Sequence, residues 1–254
     1  MIDPGALPPP QLALLVIAIA FLYSSVGFGG ASGYLAAMSL FTIAPQVMSS
    51  TALILNLFVS GIAFVAYYRA LHFKPRLVWP FLLTSVPAAF IGGFLDISAN
   101  TYLTLLYLSL TYIAFRLLFF HRVNDDEQNN LRPLSLVIAL LCGAGIGLLS
   151  GMLGIGGGIF LSPLIVMAGW GTPKQAAASA AAFIFVNSFS GLVGRALGAN
   201  LELGLLGATL LPLGLTGAWA GSRLGAHHLS GAAVRRLLGL ALFIAAARYW
   251  SAFF

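Results

Sequence analysis

GFGGASG at residues 27–33 recurs in altered form as GMLGIGGGIF at residues 151–160, and these two stretches decide the fold. Each lies where one apolar run ends and a shorter one begins. Glycine in a helix interior costs about 1 kcal/mol relative to alanine. Each stretch therefore predicts a break between a longer helix and a shorter one.

The composition of the surrounding sequence places these breaks in a membrane. Of the 254 residues, 60% are apolar and only 7% are charged, and the mean hydropathy is +0.99. A soluble domain carries about a quarter charged residues, so the excess apolar surface must face lipid. Helices are the default spanning element there, and unwound backbone is tolerated only inside protein or beside an aqueous cavity. The predicted fold class is an all-α polytopic membrane protein.

The apolar sequence divides into two sets of five segments. They are residues 11–26, 33–43, 46–68, 78–95 and 101–120, then residues 134–150, 159–168, 174–197, 203–224 and 232–254. About 20 apolar residues span the ~30 Å hydrocarbon core, so the second member of each set is too short to cross comfortably. We therefore predict a first transmembrane repeat at residues 1–121, a cytoplasmic linker at 122–132, and a second repeat at 133–254.

The two sets also match at single residues. The matched pairs are Gly27 and Gly154, Pro45 and Pro173, Thr51 and Ser179, Gly92 and Gly221, and, with a spacing that drifts by two or three residues, Asn56 and Asn187. Internal repeats of this kind recur in secondary transporters, whose short broken helices meet near the bilayer midplane.

The charged residues predict that the two repeats are inverted. With five crossings per repeat, one side of the membrane receives Arg69, Lys74, Arg76, Arg122, Arg132, Lys174, Arg223, Arg235 and Arg236. The opposite side receives Asp3, Asp96 and Glu202, with Arg195 and Arg248 near the ends of its helices. Loops rich in Lys and Arg face the cytoplasm, which predicts an inner-membrane protein with both termini outside. An odd number of crossings per repeat inverts the second repeat relative to the first.

The breaks predict a binding site for a small anion. The short helix after each break offers free N–H groups and the positive end of a helix dipole, and two such ends can hold an anion without a fixed charge. No Lys or Arg lies near either glycine cluster in sequence. The candidate contacts are Gly29, Gly30, Ala31, Ser32, Gly156, Gly157 and Gly158 at the breaks, with Thr51, Ser179, Asn56, Asn187 and Arg195 on the neighbouring helices.

Each of these candidates also has a structural explanation. Glycines allow membrane helices to pack closely. Thr51 and Ser179 can bond back to the preceding helical turn. Buried Asn56 and Asn187 need a hydrogen-bond partner, which another helix can supply. Arg195 lies close enough to a helix end to extend its side chain to the membrane surface.

At these motifs the sequence resembles the TauE/SafE family, the sulfite-exporter-like membrane proteins. The resemblance covers nearly the whole chain and is carried by residues 27–30 with Pro45 and Thr51, and by residues 154–158 with Pro163, Pro173 and Ser179. LPLG and GAWAG, within residues 211–221, are also similar to the family. The resemblance implies export of a small sulfur-containing anion such as sulfite, sulfoacetate or a related organosulfonate. Where the first copy has Ala31-Ser32-Gly33, the second copy has Gly158-Ile159-Phe160, so the two half-sites cannot be chemically identical.

Two other functions can be weighed against a transporter. A passive anion channel could use the same glycine breaks to line a pore. An intramembrane serine protease would use Ser32 in Gly30-Ala31-Ser32-Gly33, but it needs a base within hydrogen-bond reach. All four histidines lie in or beside predicted cytoplasmic loops. We therefore predict no enzyme, no cofactor and no metal site; the expected partners are a small anion and membrane lipid, with no nucleic acid and with a homodimer left open.

Overall fold

A computed structural model describes residues 7–25, 28–119, 131–225 and 231–251, and these are nearly all helical. The helices are α1 (Pro10–Ser25), α2 (Ala31–Leu40), α3 (Pro45–Arg69), α4 (Pro75–Phe94), α5 (Ala99–Phe119), α6 (Leu136–Leu153), α7 (Gly158–Met167), α8 (Pro173–Leu197), α9 (Gly204–Gly225) and α10 (Gly231–Trp250). Within the described residues, six of them are long and apolar enough to cross a membrane: α3, α4, α5, α6, α8 and α9. The predicted all-α polytopic membrane fold is confirmed.

Local sequence explains where the helices begin. Pro45, Pro75 and Pro173 each occupy the first turn of their helix, where a missing N–H costs nothing. Thr172 accepts from the Gln175 N–H and Gln175 bonds back to the Thr172 N–H, so the capping box expected at the start of α8 is present.

The two sets of five helices repeat in length and in packing. The short helices α2 and α7 have 10 residues each, and α3 and α8 have 25 each. Moreover, α4 packs on α6 and α8 as α9 packs on α1 and α3. The strongest helix pairs of one set thus have a counterpart in the other.

Residue contacts also give the direction of each helix. The α3–α8 pair is antiparallel, because Gly61 lies against Phe185 while Leu53 lies against Gly191. By the same test α5 and α10 are antiparallel, α4 runs parallel to α6 and α8, and α9 runs parallel to α1 and α3. For α5 and α10 the contacts are Tyr107–Tyr249 and Leu118–Gly239. For α4 they are Phe81–Gly143 and Ala89–Gly151 with α6, and Phe90–Gly194 and Phe94–Gly198 with α8. For α9 they are Val16–Gly214 and Ser24–Ala218 with α1, and Thr51–Gly207 and Leu55–Gly214 with α3. Corresponding long helices run in opposite directions, as inverted copies require.

The short helices α2 and α7 are long enough to cross only half of the hydrocarbon core. Ten residues rise about 15 Å, half of the ~30 Å hydrocarbon core. The Arg132 N–H donates to the Gly169 carbonyl at 2.8 Å, so the chain after α7 returns to the end at which α6 begins. The short helix α7 therefore starts inside the protein and leads back towards the end of the bundle at which α6 begins.

Two contacts show which of the described loops share an end of the bundle, and the orientation of the chain in the membrane stays a prediction. Burial and the neighbouring Lys174 ammonium lower the pKa of His72, which places the α3–α4 loop beside the start of α8. At the other end the Asn200 side chain donates to the Phe94 carbonyl at 3.1 Å. Basic loops thus share one end, and the loops after α4 and α8 share the other. Most of the predicted linker lies outside the described residues, and the repeat boundaries stay predictions.

Several glycines allow neighbouring helices to pack closely, which is the structural role that glycine has in membrane helices. A β-carbon at Gly92 would collide with the backbone of α6, and one at Gly221 would collide with the backbone of α1. Gly143 lies equally close to α4, since a β-carbon there would be 2.5 Å from the Phe81 carbonyl oxygen. Small residues at these positions let the backbones of neighbouring helices approach closely.

Candidate functional site

The two glycine breaks meet at mid-length of α3 and α8. A β-carbon at Gly29 would lie 2.6 Å from Asn56 Oδ1 and 3.0 Å from Ile184 Cγ2. At Gly156 it would lie 2.5 Å from Asn56 Nδ2 and 2.9 Å from Ile184 Cγ2. Asn56 and Ile184 are each the twelfth residue of a 25-residue helix, counted from Pro45 and Pro173. Both breaks therefore reach the centre of the bundle and share the same two side chains.

Asn56 joins the two breaks through hydrogen bonds. Its Oδ1 accepts from the Ala31 N–H at 3.1 Å, and its Nδ2 donates to the Ile155 carbonyl at 3.2 Å. The side chain is fully buried, so both bonds replace bonds that water would otherwise make. The partner of Asn56 is thus the backbone of both repeats, and the residue acts as a link between them.

Two side chains cover the beginning of α2. Gly30 caps the helix in the left-handed conformation, with φ of 97°. Asn56 takes the Ala31 N–H, and the Tyr23 hydroxyl bonds Ser32 Oγ at 2.7 Å and approaches the Gly33 N–H. Ser32 is therefore held by a tyrosine, and in the described part of the chain its hydroxyl bonds no base of the kind that a serine nucleophile needs.

The beginning of α7 is built differently. Gly157 caps it with φ of 77°, as Gly30 caps α2. At the place of Asn56 stands Ile184, which cannot accept a hydrogen bond. At the place of Tyr23, four residues before the matched glycine, stands Ser150. In the part of the chain that the structure describes, the N–H groups of Gly158 and Ile159 have no acceptor.

Ser188 adds a free hydroxyl beside this second break. Its Oγ would lie 3.3 Å from a β-carbon at Gly156. The residue is fully buried, and its hydroxyl has no hydrogen-bond partner among the described residues. A buried polar group without a partner costs about 1–3 kcal/mol, so such a group in a native protein needs an explanation. A ligand at the start of α7 would supply the missing partner.

The structure gives the neighbours of four other predicted contacts, and their role in binding stays a prediction. A β-carbon at Gly207 would lie 2.6 Å from Thr51 Oγ1, so Thr51 faces α9. The Asn187 Nδ2 donates to the Phe183 carbonyl of its own helix at 2.9 Å. At Gly157 a β-carbon would meet Ile146 and Phe183, which are packing contacts. Ser179 is fully buried, and its hydroxyl has no partner in the described part of the chain.

Arg195 lies beyond the middle of α8, where Asn56 and Ile184 contact the breaks, and it bonds the first residues of the 151–160 stretch. It is eleven residues beyond Ile184 on α8, which corresponds to roughly 16 Å along a helix. One of its guanidinium nitrogens donates to the carbonyls of Gly151 and Met152 at 3.1 and 2.6 Å. Ala31 and Gly158 lie at the starts of the two short helices, whereas the Arg195 guanidinium lies at the last turn of α6, and a contact between Arg195 and the substrate stays a prediction.

Ser188 and Ile184 are not among the contacts predicted from the sequence. The predicted pairing of Asn56 with Asn187 disregards that both helices start at a proline and have equal length. Counting from the two prolines pairs Asn56 with Ile184, and Ser60 with Ser188. Ser60 and Ser188 are both buried, and neither hydroxyl has a partner among the described residues. Counting residues from Pro45 and Pro173 is therefore the signal that identifies Ile184 and Ser188 from the sequence.

Comparisons with known proteins agree with the architecture. Residues 12–249 match the family described as sulfite exporter TauE/SafE. The probable membrane transporter protein y4hK of Sinorhizobium fredii is 34% identical over 243 residues, which cover 92% of this chain and 94% of that protein. The probable membrane transporter protein YunE of Bacillus subtilis is 24% identical over 203 residues, 72% of each chain. No solved structure matches.

Proposed function

This chain belongs to the sulfite exporter TauE/SafE family and is a membrane transporter, not an enzyme, and from that premise we propose that it exports a small sulfur-containing anion across the inner membrane. The substrate class is sulfite or a small organosulfonate such as sulfoacetate. The family's description supports this class, and the site's chemistry supports an anion. The positive loops support an orientation with both termini outside.

The observation that carries the proposal is the open end of α7. Two N–H groups without an acceptor among the described residues and the positive end of a helix dipole lie at the start of α7, and the unpartnered Ser188 hydroxyl lies beside Gly156, two residues earlier in the chain. None of the atoms nearest to the β-carbon positions of Gly29 and Gly156 belongs to an ionisable side chain. Such a site binds an anion and gives little attraction to a cation.

The strength of this site suits transport. Hydrogen bonds to a charged group contribute about 1.5–3 kcal/mol each, so three of them give about 5–9 kcal/mol before ordering costs. A binding free energy of −8.2 kcal/mol corresponds to a Kd of 1 μM. We therefore expect micromolar or weaker binding, which lets the substrate leave on the far side.

The position of the site suits alternating access. It lies between two repeats whose corresponding helices run in opposite directions, at the middle of the antiparallel α3–α8 pair. Carriers with inverted repeats place their substrate at such an interface and rock one repeat against the other. Asn56 connects the breaks of both repeats, so a movement of one repeat is passed to the binding loop of the other.

The experiment is transport by the purified protein in liposomes. Sulfite, sulfoacetate and isethionate should move faster than in protein-free liposomes, whereas sodium and choline should not. Counterflow distinguishes a carrier from a channel: unlabelled substrate inside should speed the entry of labelled substrate. Anion movement without counterflow would favour the channel, and a folded protein that moves none of the anions would refute the proposed substrate class.

A further inference from the structure

A buried cation lies near the end of the bundle that the charges predict to be outside. Arg195 is the twenty-third of the 25 residues of α8 and is only 5% exposed. In the part of the chain that the structure describes, its hydrogen bonds go only to the Gly151 and Met152 carbonyls. Its Nε is buried and has no partner.

The two carbonyl bonds leave the charge of Arg195 largely uncompensated. They lie at the last turn of α6, whose dipole places partial negative charge there. No carboxylate of the described residues forms an ion pair with the guanidinium. Buried charges in proteins are normally paired, and a cation that is not paired attracts an anion.

Arg195 lines a cavity, which gives this attraction a place to act. The cavity lies between the start of α3, the loop after α4 and the loop after α8. Its polar lining consists of Arg195, Gln46, Ser49, Asp96, Tyr102 and Asn200. Asp96 is exposed, so water screens its charge, whereas Arg195 is buried and its charge is screened less.

The first repeat has no equivalent of this cation. The twenty-third residue of α3, counted from Pro45, is Tyr67. The centre of the bundle is nearly two-fold in its helix packing, but the fixed charge occurs at one end alone among these matched positions. A positive charge on one side of a carrier makes that side different for an anion.

We propose that Arg195 and this cavity form a second anion-binding station, between the central site and the outer face. An anion released from the start of α7 is held there by the guanidinium and the neighbouring amide and hydroxyl groups before it enters the outer solvent. The station rests on the proposed function only for the choice of a sulfonate as ligand. The positive charge is what selects an anion.

Cysteine labelling tests the station without any transport measurement. In a Cys142→Ser background, Gln46→Cys places a thiol in the cavity, and Asn100→Cys places a control thiol on the exposed surface at the same end. The measured quantity is the ratio of labelling rates for an anionic and a cationic methanethiosulfonate on the detergent-purified protein. Sulfoacetate is then added as the protecting anion.

Arg195→Gln removes the charge and keeps a donor for the α6 carbonyls, and Arg195→Lys keeps the charge. A full charge about 4 Å away changes the local concentration of a monovalent ion in water about fivefold. The charge raises the local concentration of the anionic reagent and lowers that of the cationic one, so the labelling ratio at residue 46 should fall about 25-fold in Arg195→Gln and stay within about twofold in Arg195→Lys. Sulfoacetate should slow labelling at residue 46 only while the charge is present.

Three outcomes would overturn the station. They are an unchanged ratio in Arg195→Gln, an equal fall at residue 100, and protection by sulfoacetate that persists without the charge. Failure of the proposed function looks different, because liposomes would then move no sulfur anion while the labelling ratio still depended on Arg195. If Arg195→Gln does not fold, the labelling ratio at residue 46 is compared between Arg195→Lys and Arg195→Met, and it should be lower in Arg195→Met.

Discussion

Replacing Asn56 by alanine should separate the two glycine breaks and unfold the protein more easily. The change leaves the Ala31 N–H and the Ile155 carbonyl buried without a partner. Each such group costs about 1–3 kcal/mol, so the free energy of unfolding should fall by about 2–6 kcal/mol. Transport of sulfite should be lost even where folded protein is recovered, because the binding loops are no longer held together.

Asn187→Ala is the matched control. Asn187 is also a fully buried asparagine of a 25-residue helix, but its one hydrogen bond goes to a carbonyl of its own helix, and its Oδ1 has no partner among the described residues. Its loss should cost about 1 kcal/mol or less. SDS titration in mixed micelles gives the free energy of unfolding of each variant. Equal destabilisation by both changes would show that the link through Asn56 is not what holds the centre.

Three further changes test other parts of the account. Ser188→Ala should lower sulfite transport about tenfold, the value of one hydrogen bond to an anion, and leave the free energy of unfolding unchanged. Ser85→Ala removes another buried hydroxyl that has no partner among the described residues, and it should leave transport unchanged. Equal transport in the two variants would place the ligand away from Ser188. Lys74→Cys should react with an impermeant thiol reagent from the cytoplasm and Asn100→Cys from outside, and reaction from the same side would refute the topology. Ser32→Ala should reduce transport several-fold at most, and loss of a peptidase activity in that variant would contradict a transporter.

The sequence predicts where helices begin and break and how many there are, because these features depend on local chemistry. Pro45 and Pro173 start helices wherever they stand in an apolar run, and the glycine clusters break them. Hydrophobicity gives the number of segments, and the basic loops give their orientation. These signals are read from neighbours in the chain, so the fold class and the convergence of the breaks could both be predicted.

The asymmetry of the site could not be predicted in this way. The bond from Asn56 to the Ile155 carbonyl joins residues 99 positions apart, and it depends on the direction of one side chain. Gly157 illustrates the same limit, since its missing β-carbon points at packing side chains although the residue lies in the break. The role of Arg195 at the end of α6 is likewise set by packing between helices that are distant in sequence.

The most direct measurement of the account is a structure with selenite, the selenium analogue of sulfite, bound to the Cys142→Ser protein. Anomalous scattering distinguishes a bound selenium atom from a water molecule. The account predicts a peak at the start of α7, within hydrogen-bonding reach of the Gly158 and Ile159 N–H groups and of Ser188 Oγ. A peak at the start of α2 instead, or a well-occupied anion found only outside the centre of the bundle, would contradict it.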